Sequence, residues 1–166
     1  MTNIQVAALP AGALLESYVR DGAYTDCYST TLEIEVTLSE FMEAFYTTFV
    51  FKSERFILAK AMNLPSTDSE AHEIAHGKAR QFSAWKVEDR DVNQVILAAG
   101  RTRSWLMVHS EDSPAGEATA LYFGSAIVPD NQGGPGWQFK LLLSFHKLYS
   151  RILLGAAARR LSKRRQ

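Results

Sequence analysis

The sequence predicts an α+β domain: a curved antiparallel sheet wrapped around a long C-terminal helix, with two short helices after the first strand. Three observations predict it. A helical pattern runs from Trp137 to Leu161 and carries Leu142, Phe145, Tyr149, Ile152 and Ala156 at spacings of three and four. About 25 residues of helix reach roughly 37 Å, so such a helix must lie across a large apolar surface. Four strand-like segments precede it, joined by turns too short for parallel crossovers. A fifth strand nearer the N-terminus leads directly into a helix-capping sequence.

In chain order, Gly12 to Arg20 reads as a short helix ended by Asp21-Gly22. From Ala23 to Val36, Tyr28, Thr30, Leu32, Ile34 and Val36 fall on one face and Thr31, Glu33 and Glu35 on the other, the alternation of a half-buried strand. Thr37-Leu38-Ser39-Glu40 has capping-box spacing, and Phe41, Met42, Phe45 and Phe49 supply the apolar stripe of the helix it opens. A break at Lys52-Ser53-Glu54 leads to a second helix, Ser53 to Met62, stopped by Asn63-Leu64-Pro65-Ser66. Ser66 to Lys78 is polar and reads as a loop with at most a helical turn. The strands of the meander are Gln81 to Glu88, Val92 to Ala99, Thr102 to His109 and Ala118 to Val128, with a long loop from Ser110 to Glu117 that contains Pro114 and Gly116. Pro129 to Gly136 is a hinge into the terminal helix.

Composition narrows the function classes. The 166 residues suit a single domain spanning 1–166, with an N-terminal segment over 1–22 and a basic tail over 159–166. Lys plus Arg and Asp plus Glu number 18 each, so no net field recruits nucleic acid, and no nucleic-acid partner is expected. Cys27 is the single cysteine, which excludes an intrachain disulfide, fits a reducing, cytoplasmic setting and reads as a partly buried strand residue. The stretch Ile4 to Leu15 has no basic start and is interrupted by Pro10 and Gly12, so no signal peptide is expected. No apolar run is long enough to span a membrane.

Strand, two helices, meander and long terminal helix is an order that resembles the START-like superfamily, the SRPBCC or birch-pollen-allergen-like proteins with the helix-grip fold. The Trp105-Leu106-Met107-Val108 strand and the Phe145 to Leu154 helix segment look most like a bacterial branch of it. The resemblance covers roughly residues 23 to 161 by element order. Five strands are secure in the sequence, where that superfamily usually has six or seven; a strand within Ile4 to Leu9, or a merged pair, would supply the difference. The resemblance implies a space between sheet and C-terminal helix that holds a hydrophobic or amphipathic small molecule. Trp85, Trp105, Tyr122 or Phe123, Phe145 and Tyr149 would line it, with His146 as a polar anchor.

Other readings stay open beside that one. In an enzymatic form of the same cavity, cyclase- or hydratase-like, His146 or His109 would move protons. His72-Glu73-Ile74-Ala75-His76 is an H-E-x-x-H sequence: on a helix the histidines lie one turn apart on one face, spaced for a single Zn²⁺, with Glu73 as general base. Its flanks, Pro65 to Glu70 and Gly77-Lys78, are those of a surface loop. A third, carboxylate ligand would come from Glu88, Asp89 or Asp91. The preferred reading is a solvated helical turn with two surface histidines, no metal and no cofactor. In a third form, the core is filled and the protein acts through its surface. Arg159, Arg160, Lys163, Arg164 and Arg165 suit a helix C-terminus, and the last of them can touch an anionic surface weakly. No serine elbow or phosphate-cradling glycine loop is present. Oligomeric state is not written in the sequence.

Overall fold

Among the described residues, the alternating segments build one sheet of seven antiparallel strands, with a 28-residue helix laid across it. The computed structural model describes residues 3–52, 67–114, 116–129 and 137–164, and within 137–146 only the helical backbone. The elements are β1 (Gln5–Val6), α1 (Glu16–Arg20), β2 (Tyr24–Leu32), α2 (Leu38–Tyr46), α3 (Asp68–Ala75), β3 (Gln81–Phe82), β4 (Trp85–Arg90), β5 (Gln94–Ala99), β6 (Thr102–Ser113), β7 (Gly116–Ile127) and α4 (Trp137–Arg164). The strand order is β1-β2-β7-β6-β5-β4-β3, so β3 to β7 form the expected meander and β2 docks on its last strand.

Both ways of gaining strands occur. Ile4 to Leu9 contains β1, which pairs with β2 at Gln5–Ser29 and Val6–Tyr28. Gln81 to Glu88 divides into β3 and β4 around Ser83, whose φ of 51° turns the chain sharply. The expected loop from Ser110 to Glu117 is instead the tip of a long hairpin, paired out to Ser113–Gly116.

The capping box forms as its spacing predicts: Thr37 Oγ1 accepts from Glu40 N at 3.3 Å and Glu40 Oε2 accepts from Thr37 N at 2.8 Å. Phe41, Met42 and Phe45 are buried, but Phe49 is 84% exposed. The helix stops at Thr47-Thr48, ahead of the expected break. There the hydroxyls of Thr47 and Thr48 donate to the carbonyls of Glu43 and Phe45, and Thr48 Oγ1 accepts from Phe51 N. The expected helix from Ser53 to Met62 lies outside the described residues.

The expected loop from Ser66 to Lys78 is largely helix. A second capping box, Thr67 with Glu70, opens α3, and Ala71, Ile74 and Ala75 are buried beneath it. Gly77, at φ +71°, donates to Ile74 O, and the Arg90 guanidinium donates to Ile74 O at 2.8 Å and Ala75 O at 2.6 Å. The polar flanks that suggested a loop are the fastenings of a helix.

The sheet is covered on both faces. Toward the helices, Tyr28, Leu106, Leu121 and Phe123 meet α2 and α4. The terminal helix presents Leu153, Leu154, Ala157, Ala158 and Leu161 to this core, while Ile152 is 43% exposed and Tyr149 and Ala156 are half-buried. Its buried stripe is therefore turned relative to the expected one, and small residues face inward where α2 packs close. On the opposite face, Cys27, Ile96, Trp105 and Met107 lie under Ala13 and Leu15 of the N-terminal segment.

Candidate functional site

The expected binding residues do not converge. Trp85 is 5% exposed and packs in the helix-side core, 4.9 Å from the ring of Phe51 and stacked at 6.0 Å on Phe82. Tyr149 packs against the same core, as Phe123 does. Trp105 is fully buried on the other face, where its ring is 6.3 Å from that of Tyr122 and its Nε1 donates to Gln94 Oε1 at 2.9 Å. The side chains of Phe145 and His146 lie outside the described residues. His109 is exposed, and strand parity puts it on the Trp105 face of β6, away from the space between sheet and helix. Trp105 and His109 are therefore corrected: neither lines a space shared with Trp85 and Tyr149.

A cleft of ≈ 500 Å³ opens instead at the β1–β2 edge of the sheet. Val6, Ala7, Leu9 and Val19 give it an apolar wall, Tyr24, Asp26 and Tyr28 its floor, and Lys147 of α4 a cationic rim. Val6 and Val19 are 75% and 48% exposed, apolar side chains left facing water. Asp26 Oδ1 accepts from Ser125 N at 3.2 Å and Ser125 Oγ at 2.6 Å, while Tyr24 OH donates to Oδ2 at 3.3 Å. Burial first, and the Asp26 charge second, push up the Tyr24 and Tyr28 phenols, and the same two causes raise the Cys27 thiol to about 12. At neutral pH the phenols of the floor therefore stay protonated.

The second cluster is built on α3. His72 Nδ1 lies 2.9 Å from Glu43 Oε2, and the His72 and His76 rings are 4.0 Å apart, tilted by 33°. His76 Nδ1 lies 2.9 Å from His72 O. One donor atom from each of Glu43, His72 and His76 lies within 4.8 Å of the others. The carboxylate beside the histidines is thus Glu43 of α2. The alternatives suggested by sequence are engaged elsewhere: Glu88 pairs with Arg103 at 2.7 Å, and Asp89 and Asp91 accept from the amides that follow them. Glu73 is exposed and stands outside the set.

Glu43 also receives Arg164 of the basic tail, whose Nη2 donates to Oε1 at 2.9 Å. That bond, with His72 adding to it and burial opposing it, holds the Glu43 carboxyl below its usual range. Arg160 Nη1 donates to Thr47 O at 2.8 Å. Two of the tail cations thus tie α4 to α2, while Lys163 is exposed and Arg165 lies outside the described residues.

A signal for Glu43 was present in the sequence, where it is the one charged residue between Phe41 and Phe51. An acidic side chain kept in so apolar a run asks for a partner. The cleft had no comparable signal, because its walls come from a two-residue strand and an irregular segment. Among the described residues no helix is long and apolar enough to cross a membrane. No protein-family model, curated protein or solved structure matches this chain, so its chemistry is argued from its own residues.

Proposed function

We propose that this chain is a START-like, helix-grip protein that binds a hydrophobic or amphipathic small molecule in the cleft at the β1–β2 edge. The single observation that carries the reading is that cleft: ≈ 500 Å³, walled by Val6, Ala7, Leu9 and Val19, with Asp26 and Lys147 on its polar side. That volume lies in the ordinary range for small-molecule sites, about 300–1,000 Å³. The seven-stranded antiparallel sheet and its long C-terminal helix support the fold assignment at the level of layout. An apolar body would cover Val6 and Val19, and an anionic head would meet the Lys147 ammonium.

Titration with anilinonaphthalene sulfonate, an apolar fluorophore with an anionic head, tests it. The unmodified protein is expected to bind one equivalent. A Val6→Asp, Val19→Asp double variant places charge on the wall at exposed positions, where the fold is indifferent to it, and is expected to weaken binding at least about tenfold, or 1.4 kcal/mol. Equal affinity in the two proteins would remove the cleft as the binding site.

A further inference from the structure

We propose that Glu43, His72 and His76 form a binding site for one divalent late transition-metal ion of the zinc class, bridging α2 and α3. The proposal does not depend on the ligand-binding reading, because the two sites use different residues. Two imidazoles and one carboxylate are a donor set suited to Zn²⁺. The three donor atoms already lie within 4.8 Å of one another. Two ligands of a tetrahedral zinc, each about 2.0–2.1 Å from the ion, are about 3.3 Å apart. Rotation of exposed imidazoles on a fixed backbone can close that gap.

The backbone that carries the histidines is held firmly. Their helix is capped at one end by Thr67 and Glu70 and at the other by Gly77 and the Arg90 guanidinium, and Ala71, Ile74 and Ala75 anchor its underside. The protonation pattern suits a ligand as well. A carbonyl only accepts, so the bond to His72 O places a proton on His76 Nδ1, and Nε2 is the ring nitrogen left to take a metal. A backbone carbonyl on the other ring nitrogen is one of the common ways a metal-binding imidazole is oriented. Glu43 divides its oxygens: Oε1 receives Arg164, and Oε2 faces His72. Arg164 thereby orients the carboxylate from behind while one oxygen stays directed at the histidines. In binding, the ion enters between Oε2 and His72: the ring proton of His72 moves from Nδ1 to Nε2 by exchange with water, and the His72–Glu43 hydrogen bond is exchanged for two metal bonds, one to Nδ1 and one to Oε2. Both histidines are exposed, so the remaining coordination position opens to water. Glu73, the residue that an H-E-x-x-H reading makes the base, takes no part in holding the ion.

Zinc ion titrated into the full chain, in competition with a chromophoric chelator, tests the proposal. One equivalent is expected. His72→Ala, His76→Ala and Glu43→Gln are each expected to lower affinity at least about tenfold, by loss of a ligand, while Glu73→Gln leaves it unchanged. Circular dichroism checks that each variant keeps its helix content; all three side chains lie outside the apolar core, and the side-chain amide introduced by Glu43→Gln retains an acceptor for Arg164. The Glu43→Gln result is decisive, since a lone histidine pair on a helix would also attract zinc. Zinc affinity in that variant equal to the unmodified protein's overturns the proposal. So does an equivalent of zinc retained by the His72→Ala, His76→Ala double variant, or failure of the unmodified chain to take up a stoichiometric ion.

Discussion

On one side of the sheet Phe45, Tyr46, Phe51, Phe82 and Trp85 meet ring to ring beneath the helices, with centroids 4.8–6.0 Å apart. On the other, Trp105 is covered by a segment whose one helix has five residues, and a single glutamine fastens it. Gln94 Oε1 accepts from Trp105 Nε1 and Leu14 N, both at 2.9 Å, and its Nε2 donates to Gly12 O at 3.0 Å. Tyr18 adds a second tether through Arg103 and Glu88. The first face is held by dispersion and area shared among many side chains; the second depends on a few directional bonds and one close fit. Damage to the first should cost the most in global stability, and loosening of the second should also show locally.

The largest effect is expected from Phe45→Ala, which removes a ring that touches Phe41, Tyr46, Phe51 and Phe123. Urea unfolding should show a loss of about 3–5 kcal/mol in one cooperative transition. A loss under about 1 kcal/mol would mean that the helix-side core is loosely packed.

Next comes Gly124→Ala on the opposite face. An added Cβ would stand 2.8 Å from Asp26 O, 2.9 Å from Leu15 Cδ2 and 3.0 Å from Trp105 Cε3, and the first of these is backbone that cannot turn aside. Overpacking of about 1–3 kcal/mol is expected in the same assay. Unchanged stability would show that Leu15 and the N-terminal segment yield readily.

The smallest global effect, about 1–2 kcal/mol, is expected from Gln94→Leu: the freed groups of Gly12 and Leu14 can turn to water, and the cost comes from the buried Trp105 Nε1, which loses its acceptor. Its signature is local. The Cys27 thiol, raised to about 12 by burial under this segment, should be almost unreactive toward a thiol reagent at about pH 8, with reactivity rising as the pH approaches that value. Gln94→Leu should speed its labelling severalfold without global unfolding. Labelling at the unmodified rate would place the hold on the segment with Tyr18 rather than with Gln94.

This two-sided burial also explains what the sequence did and did not reveal. Trp105, Leu106, Met107 and Val108 are all buried, alternately on the two faces, so the strand reads as an unbroken apolar run with no outward side. With only one covering layer in view, both tryptophans are drawn into one space, although parity separates them. Thr37 to Glu40 was legible because its bonds are local, and Thr67 to Glu70 has the same spacing, masked by polar neighbours. The hairpin beyond Ser110 was hidden because a ribbon projecting past the core needs no apolar residues. Sequence spacing brought His72 and His76 together; only packing of α2 on α3 adds Glu43, twenty-nine residues earlier.

Among the described residues, the sheet also ends abruptly on both flanks. β1 and β3 have two residues each, and beyond β3 the rim of β4 carries a register irregularity between Val87 and Asp89 and the charges of Lys86, Glu88, Asp89 and Arg90. An open strand is a template for another chain's backbone, and short, kinked or charged rims deny it a continuous ladder. Among the described residues, the flanking strands β1 and β3 therefore offer a second copy only two residues each to extend.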